Sequence, residues 1–215
     1  MSLLDRRTRH EKLMDNPTYR RKYQPLPSTS PVPTPVLTAG RWDFWELWSG
    51  SGTLTKAAQH VGLSTGPLVS REYGWELSLP SHQTALLAIY EEHLPIVLFG
   101  APTCSPWSSS NTTMAKDVLD QIRAIESETF EFYLKLCKRQ HNRSCFHITE
   151  QPRASELLRT ADALSLCTLY GAVDYMTAMC AHGLVDAVSL KPHMKATTLR
   201  SSLPLVKSIR WCTCV

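Results

Sequence analysis

Pro95-Ile96-Val97-Leu98-Phe99-Gly100-Ala101-Pro102-Thr103-Cys104-Ser105-Pro106-Trp107-Ser108 is an apolar run that stops at a turn carrying one cysteine. The five residues before Gly100 have the length and composition of a strand buried on both faces, as in parallel sheets. Ligands of α/β sheets bind where such strands end, so Cys104 is placed at the edge of a site as a nucleophile on a loop. The plain alternative is a small buried hydrophobe, the ordinary state of a lone cysteine beside a strand.

Working outward from that run, the pattern alternates strand and helix. Arg41 to Trp48 reads as a first strand, followed by the glycine turn Ser49-Gly50-Ser51-Gly52 and a helix through Val61. Gly66 to Tyr73 gives a second strand, Leu79 to His93 a helix, and Pro95 to Phe99 the third strand. Past the cysteine, Val118, Ile122, Ile125, Thr129, Phe132 and Leu136 recur in steps of three and four, which predicts a long amphipathic helix over 116–140. Ser144 to Thr149 is a strand ending at Glu150-Gln151-Pro152, with a short helix through Ala163. Cys167–Tyr170, Val185–Leu190 and Lys195–Arg200 read as closing strands, with Tyr175–Ala181 helical between the first two. This alternation predicts a doubly wound, mostly parallel α/β sheet with right-handed crossovers.

Composition bounds the rest. A chain of 215 residues fits one catalytic module and a tail. It has no apolar run of about 18 residues, and Met1 to His10 is charged where a signal peptide needs an apolar stretch, so a protein inside the cell, nuclear or cytoplasmic and off the membrane, is expected. Seven scattered cysteines predict reduced thiols, and Cys212 and Cys214 without a second pair predict no metal. The net charge of +4 lies wholly within residues 1–24, a disordered basic arm suited to a phosphate backbone. Residues 25–40 form a linker, with Pro25, Pro27, Pro31, Pro33 and Pro35 favouring an extended chain, and the folded domain spans 41–215.

Three strand ends carry polar chemistry besides Cys104. Glu46 precedes Trp48 and the turn glycines Gly50 and Gly52, so backbone can approach a ligand closely while the acid accepts hydrogen bonds from it. No Gly-Lys-Ser/Thr follows, and the third glycine of the dinucleotide fingerprint is absent. Glu72 and Tyr73 end the second strand, where an acid can hold ribose hydroxyls and an aromatic can stack on a base. Glu150 ends the strand after Cys104 and would face the same crevice.

The order Glu-Leu-Trp-Ser-Gly-Ser-Gly (46–52), Gly-Ala-Pro-Thr-Cys-Ser-Pro-Trp-Ser (100–108) and Glu-Gln-Pro (150–152) resembles the cytosine-C5 methyltransferases. Their signatures run Asp-Leu-Phe-x-Gly-x-Gly, Gly-x-Pro-Pro-Cys-x-x-Phe-Ser and Glu-Asn-Val, each at a strand end. The resemblance covers residues 42–200 and implies a shortened class I methyltransferase sheet of Rossmann type. It further implies S-adenosylmethionine held by Glu46, Trp48, Gly50, Gly52, Glu72, Tyr73 and Pro102. Cys104 would add to C6 of a cytosine flipped out of its stack, with Glu150 at N3. Trp107 and Ser108 would open a mobile polar loop, through Thr113, that closes over the base. Arg200 is the nearest stand-in for the family's Gln-x-Arg-x-Arg.

Departures from that pattern carry consequences of their own. Thr103 replaces the second proline, Gln151-Pro152 replaces Asn-Val, and Glu46 replaces Asp. Tyr73 to Pro95 holds one helix and leaves no room for a third strand and its adenine-contacting acid, a place Glu76 could take. No stretch fits a target-recognition domain, so sequence choice would come from a protein partner or the basic arm, with DNA ahead of RNA as the polymer. Ala101 cannot accept from an exocyclic amine, as amino-methylating enzymes require. RNA cytosine methyltransferases take their nucleophile from a second cysteine at the next strand end, where this chain has Glu150. The reading from another class is a catalytically inactive methyltransferase-fold module that binds or scaffolds a nucleic-acid complex.

Overall fold

The computed structural model describes Pro27 and residues 29–108, 115–178 and 195–204. The basic arm, the polar run 109–113, the expected strand 185–190 and Cys180, Cys212 and Cys214 lie outside the described residues.

Among the described residues five strands form one sheet: β1 (Phe44–Leu47), β2 (Val97–Gly100), β3 (Phe146–Pro152), β4 (Val173–Ala178) and β5 (Ala196–Ser201). Their order across the sheet is β1-β2-β3-β5-β4. β1, β2 and β3 run parallel, while β5 is antiparallel to both β3 and β4. The fold is therefore α/β with a mixed sheet whose first part is parallel, consistent with a Rossmann-like arrangement. The expected doubly wound parallel pattern stops at β3.

Helices α1 (Thr53–His60), α2 (Pro80–His93), α3 (Lys116–Asn142) and α4 (Ala161–Thr168) connect or flank these strands. Local causes set three of their starts. Gly52 precedes α1 at φ 69°, and a Cβ there would lie 2.6 Å from Leu68, so only glycine fits. Pro80 opens α2, where its missing N–H would have been unpaired anyway. Thr160 caps α4 by accepting from the Ala163 N–H at 3.2 Å.

Registers separate the two faces of the sheet. Trp45 pairs with Leu98, and Leu47 with Gly100, so these side chains share one face with His147 and Thr149. That face carries the main core, where Trp42, Trp45, Leu47, Leu98, Tyr133 and Leu136 are completely buried. Glycine at 100 is required by this packing, because a Cβ would lie 2.6 Å from the Tyr133 ring. The Tyr133 hydroxyl then donates to the Ile148 carbonyl at 2.8 Å, pinning α3 to β3. Glu46, Phe99 and Ile148 share the other face.

Three expected elements differ. The strand over 66–73 is reduced to two isolated parallel bridges, Phe44 to Thr65 and Leu47 to Val69, with Arg71–Tyr73 a 3-10 turn. Residues 167–170 are not a strand, since α4 runs through Thr168. Residues 173–178 form β4 rather than a helix. Residues 29–40 have neither helix nor strand, as their prolines predict, yet they lie on the domain. Thr38 accepts from the Trp42 indole at 2.9 Å, and Leu37 packs against the core.

Candidate active site

Leu47, Gly100 and Thr149 stand level across the three parallel strands, so the segments that follow them emerge side by side at one sheet edge. The Glu46 turn and the Cys104 turn leave from that edge, and Glu150 sits within β3, one residue beyond Thr149.

The turn after β1 is tightly reversed. Trp48 at φ 57° and Gly50 at φ 50° join Gly52 in the left-handed region. For tryptophan this costs about 1 kcal/mol and marks a position held by its surroundings. Between them Ser49 donates its N–H to the Val69 carbonyl at 3.0 Å, while its hydroxyl is buried with no partner. The Ser70 hydroxyl, one residue beyond that carbonyl, is in the same condition. Two buried hydroxyls without partners at adjoining strand ends require an explanation, since such groups are almost always satisfied.

Glu46 is buried, and its Oε2 accepts from both the Thr55 N–H, at 3.0 Å, and the Thr55 hydroxyl. Half of the carboxylate therefore caps the first turn of α1, leaving Oε1 for another donor. Burial pushes its pKa up, against the lowering effect of the two Thr55 hydrogen bonds. Glu72 and Tyr73 are exposed on the 3-10 turn. Glu76, by contrast, is committed internally: it pairs with Arg71 at 2.9 Å and accepts from the Ser78 hydroxyl at 2.9 Å.

Cys104 begins the 3-10 turn Ser105–Trp107 and is half-buried, its carbonyl accepting from the Trp107 N–H at 3.0 Å. Cys104 and Ser108 line a cavity of about 420 Å³ together with Pro152, Arg153, Ser155 and Arg159. Cys104 is thus not packed away as a small hydrophobe, and among the described residues the charged ones lining the cavity are Arg153 and Arg159. Glu150 does not line this cavity. Its Oε1 is paired with Lys195 Nζ at 3.2 Å. Ala196, next to that lysine, does line the cavity.

The Cys104 turn is held from two sides. Pro102 is buried and its carbonyl accepts from the Gln151 side-chain amide at 2.6 Å, while the Gln151 oxygen accepts from the Ser155 hydroxyl at 2.8 Å. Arg123 of α3 donates to the Pro106 carbonyl at 2.9 Å, lies 5.2 Å over the Trp107 ring and pairs with Glu156. Trp107, expected over a flipped base, is 7 % exposed and anchors the turn in the core instead. Arg200 is also reassigned. Its guanidinium binds Asp174 at 2.7 and 2.9 Å and donates to the Leu158 and Ala163 carbonyls, so it ties β5 to β4 and α4.

No protein-family model matches the chain, and no curated protein matches it. Among the described residues no helix is long and apolar enough to cross a membrane, and no three His, Cys, Asp or Glu side chains cluster as metal ligands. The residues that motif reading passed over, Arg123, Arg153, Arg159 and Lys195, act through distant partners or through the cavity wall. Gln151-Pro152-Arg153, directly after Glu150, is the one stretch whose position signalled them.

Proposed function

We propose that this chain is a class I methyltransferase that transfers a methyl group to C5 of cytosine in nucleic acid. The observation that supports it is the level emergence of the Glu46 and Cys104 turns beside Glu150, with the Cys104 thiol opening onto a cavity. The residues at the end of β1 fit S-adenosylmethionine: the unpartnered Ser49 and Ser70 hydroxyls and Glu46 Oε1 are polar groups awaiting a polyhydroxyl, amino-acid ligand. Gly50 and Gly52 with Trp48 let backbone approach it, and Glu72 and Tyr73 follow Ser70 on the 3-10 turn. When bound, that cofactor supplies an electrophilic methyl group.

Cytosine C5 is a poor nucleophile, and the Cys104 thiolate corrects this by adding to C6, which moves electron density onto C5. Glu150, as the carboxylic acid, favours the addition by giving a proton or hydrogen bond to N3, and its contact with Lys195 sets the direction of that carboxyl group. Once C5 carries the methyl group, transfer of its proton to a base such as water returns the electrons that expel Cys104. The two arms on the Cys104 turn, from Arg123 and Gln151, hold the sulfur in place while the base arrives. The polymer is DNA ahead of RNA, and a protein partner supplies the choice of target sequence inside the nucleus or cytoplasm.

One observation favours a non-catalytic binding module instead. Glu76 and Arg200, two residues suited to cofactor and substrate, are both consumed by internal pairs. Titration calorimetry with S-adenosylmethionine separates the readings. Saturable one-to-one binding, weakened in Glu46→Gln, is expected of the enzyme, and absence of heat at millimolar cofactor would leave the binding module standing.

A further inference from the structure

The cavity beside Cys104 holds chemistry that methyl transfer to a base does not itself require. Arg153 and Arg159 both line it, and no carboxylate is among the described residues that do. Arg159 closes the 3-10 turn Glu156–Arg159 and lines the cavity from there. Glu156, the acid at the start of that turn, is engaged by Arg123. The wall that carries the arginines is rigidly placed. Arg153 donates its backbone N–H to the Ala196 carbonyl at 3.0 Å, and Ser155 N–H donates to the Pro152 carbonyl at 2.9 Å. A volume of about 420 Å³ falls within the roughly 300–1,000 Å³ of small-ligand sites, larger than one pyrimidine ring needs.

An electropositive pocket with a thiol, two small apolar side chains (Ala154 and Ala196) and two guanidiniums suits a ligand that is flat at one end and anionic at the other. Guanidinium forks match phosphate oxygens and form charge-assisted pairs with them. We propose that Arg153 and Arg159 bind a backbone phosphate of the nucleic-acid strand whose cytosine is offered to Cys104. The site then grips its nucleotide at base and phosphate together. This rests on the proposed function, which it extends from the reacting base to the strand that carries it.

The test is fluorescence anisotropy with a labelled single-stranded DNA 12-mer containing one cytosine, using the full chain and the double variant Arg153→Gln/Arg159→Gln. Unlabelled dCMP serves as competitor, and thermal melts control for folding. The double variant is expected to bind about tenfold more weakly. Its slope of log affinity against log salt should fall by roughly 0.7, the value for the one single-strand phosphate that the arginines no longer neutralise. Affinity within twofold and an unchanged slope in the double variant would overturn the proposal, as would absence of strand binding by the unaltered chain at low salt. Binding of dCMP in preference to the 12-mer would overturn it in favour of a free nucleotide. Failure of methyl transfer is read separately. Arginine-dependent strand binding without any covalent adduct on 5-fluorocytosine leaves the phosphate site standing and removes the methyltransferase reading.

Discussion

Replacing Arg123 with methionine keeps the aliphatic stem and removes the guanidinium that joins α3 to the Cys104 turn and to the 156–159 turn. Three interactions disappear together. The charged hydrogen bond to the Pro106 carbonyl is worth about 1.5 kcal/mol. The stacking over Trp107, whose ring is buried, adds about 0.5–1 kcal/mol. The ion pair with Glu156 has partners 27 % and 48 % exposed, so solvent screening limits it to about 0.5 kcal/mol. The total of about 2–3 kcal/mol corresponds to a melting temperature lower by about 5–10 °C for a chain of this size. Glu156→Gln removes only the screened pair and should shift melting by less than about 2 °C. Because Cys104 begins the released turn, its alkylation by iodoacetamide, counted as the difference from a Cys104→Ala control, should accelerate in Arg123→Met and stay unchanged in Glu156→Gln. A methionine variant that melts within about 1 °C of the unaltered protein, with unchanged Cys104 alkylation, would refute the clamp.

Three other perturbations follow from the same geometry. His147 is buried with its Nε2 unpartnered, and desolvation, helped by the His141 charge, lowers its pKa from 6.5 to about 4. The unfolded chain therefore binds the extra proton between those values, so the stability from neutral His147 is full above pH 6.5 and is lost as pH falls toward 4. Urea denaturation at pH 7 and pH 5 should show an acid loss about 2 kcal/mol larger in the unaltered protein than in His147→Asn, and equal losses would contradict this. Gly100→Ala places a methyl 2.6 Å from the Tyr133 ring and should cost about 1–3 kcal/mol by the same melts, with the Tyr133 hydroxyl displaced from Ile148. Arg200→Met leaves two buried carbonyls without their donor and should destabilise by about 2–4 kcal/mol, whereas a residue that served only to touch substrate would leave melting unchanged.

How far the sequence could be read depended on whether an element answers to local or distant partners. β1, β2 and β3, with α2 and α3, follow from short apolar runs and a 3.6-residue stripe, and their predicted ends lie within a few residues of the observed ones. The stretch 66–73 has strand-like residues, but Gly66 lies so close to Trp45 that a Cβ would fall 2.3 Å from its ring, and only two bridges form. Cys167 to Tyr170 looks extended locally, yet the Thr160 cap starts a helix that runs through Thr168 and carries Leu166 into the core. β4 becomes a strand because β5 pairs with all six of its residues, from Val173 to Ala178. The direction of β5 is likewise set by partners in β3 and β4.

At the candidate site, the motif residues were legible and their supports were not. Gln151 meets Pro102 across 49 positions, and Arg123 meets Glu156 across 33, separations that no short pattern encodes. Arg200 and Trp107 were misplaced for the converse reason. Each has the chemistry of a ligand-touching residue, but burial against partners elsewhere in the fold assigns it to structure.

Covalent capture reads the proposed chemistry at its reacting atom. Oligonucleotides carrying 5-fluorocytosine, as DNA and as RNA, are incubated with the full chain and S-adenosylmethionine and resolved under denaturing conditions. Fluorine at C5 cannot leave as a proton does, so a chain that adds its thiolate to C6 and methylates C5 stays attached. A cofactor-dependent adduct that vanishes in Cys104→Ser is the predicted result, with the DNA strand the better trap. No adduct on either polymer, or an adduct that persists in Cys104→Ser, would contradict the assignment of Cys104 as the nucleophile.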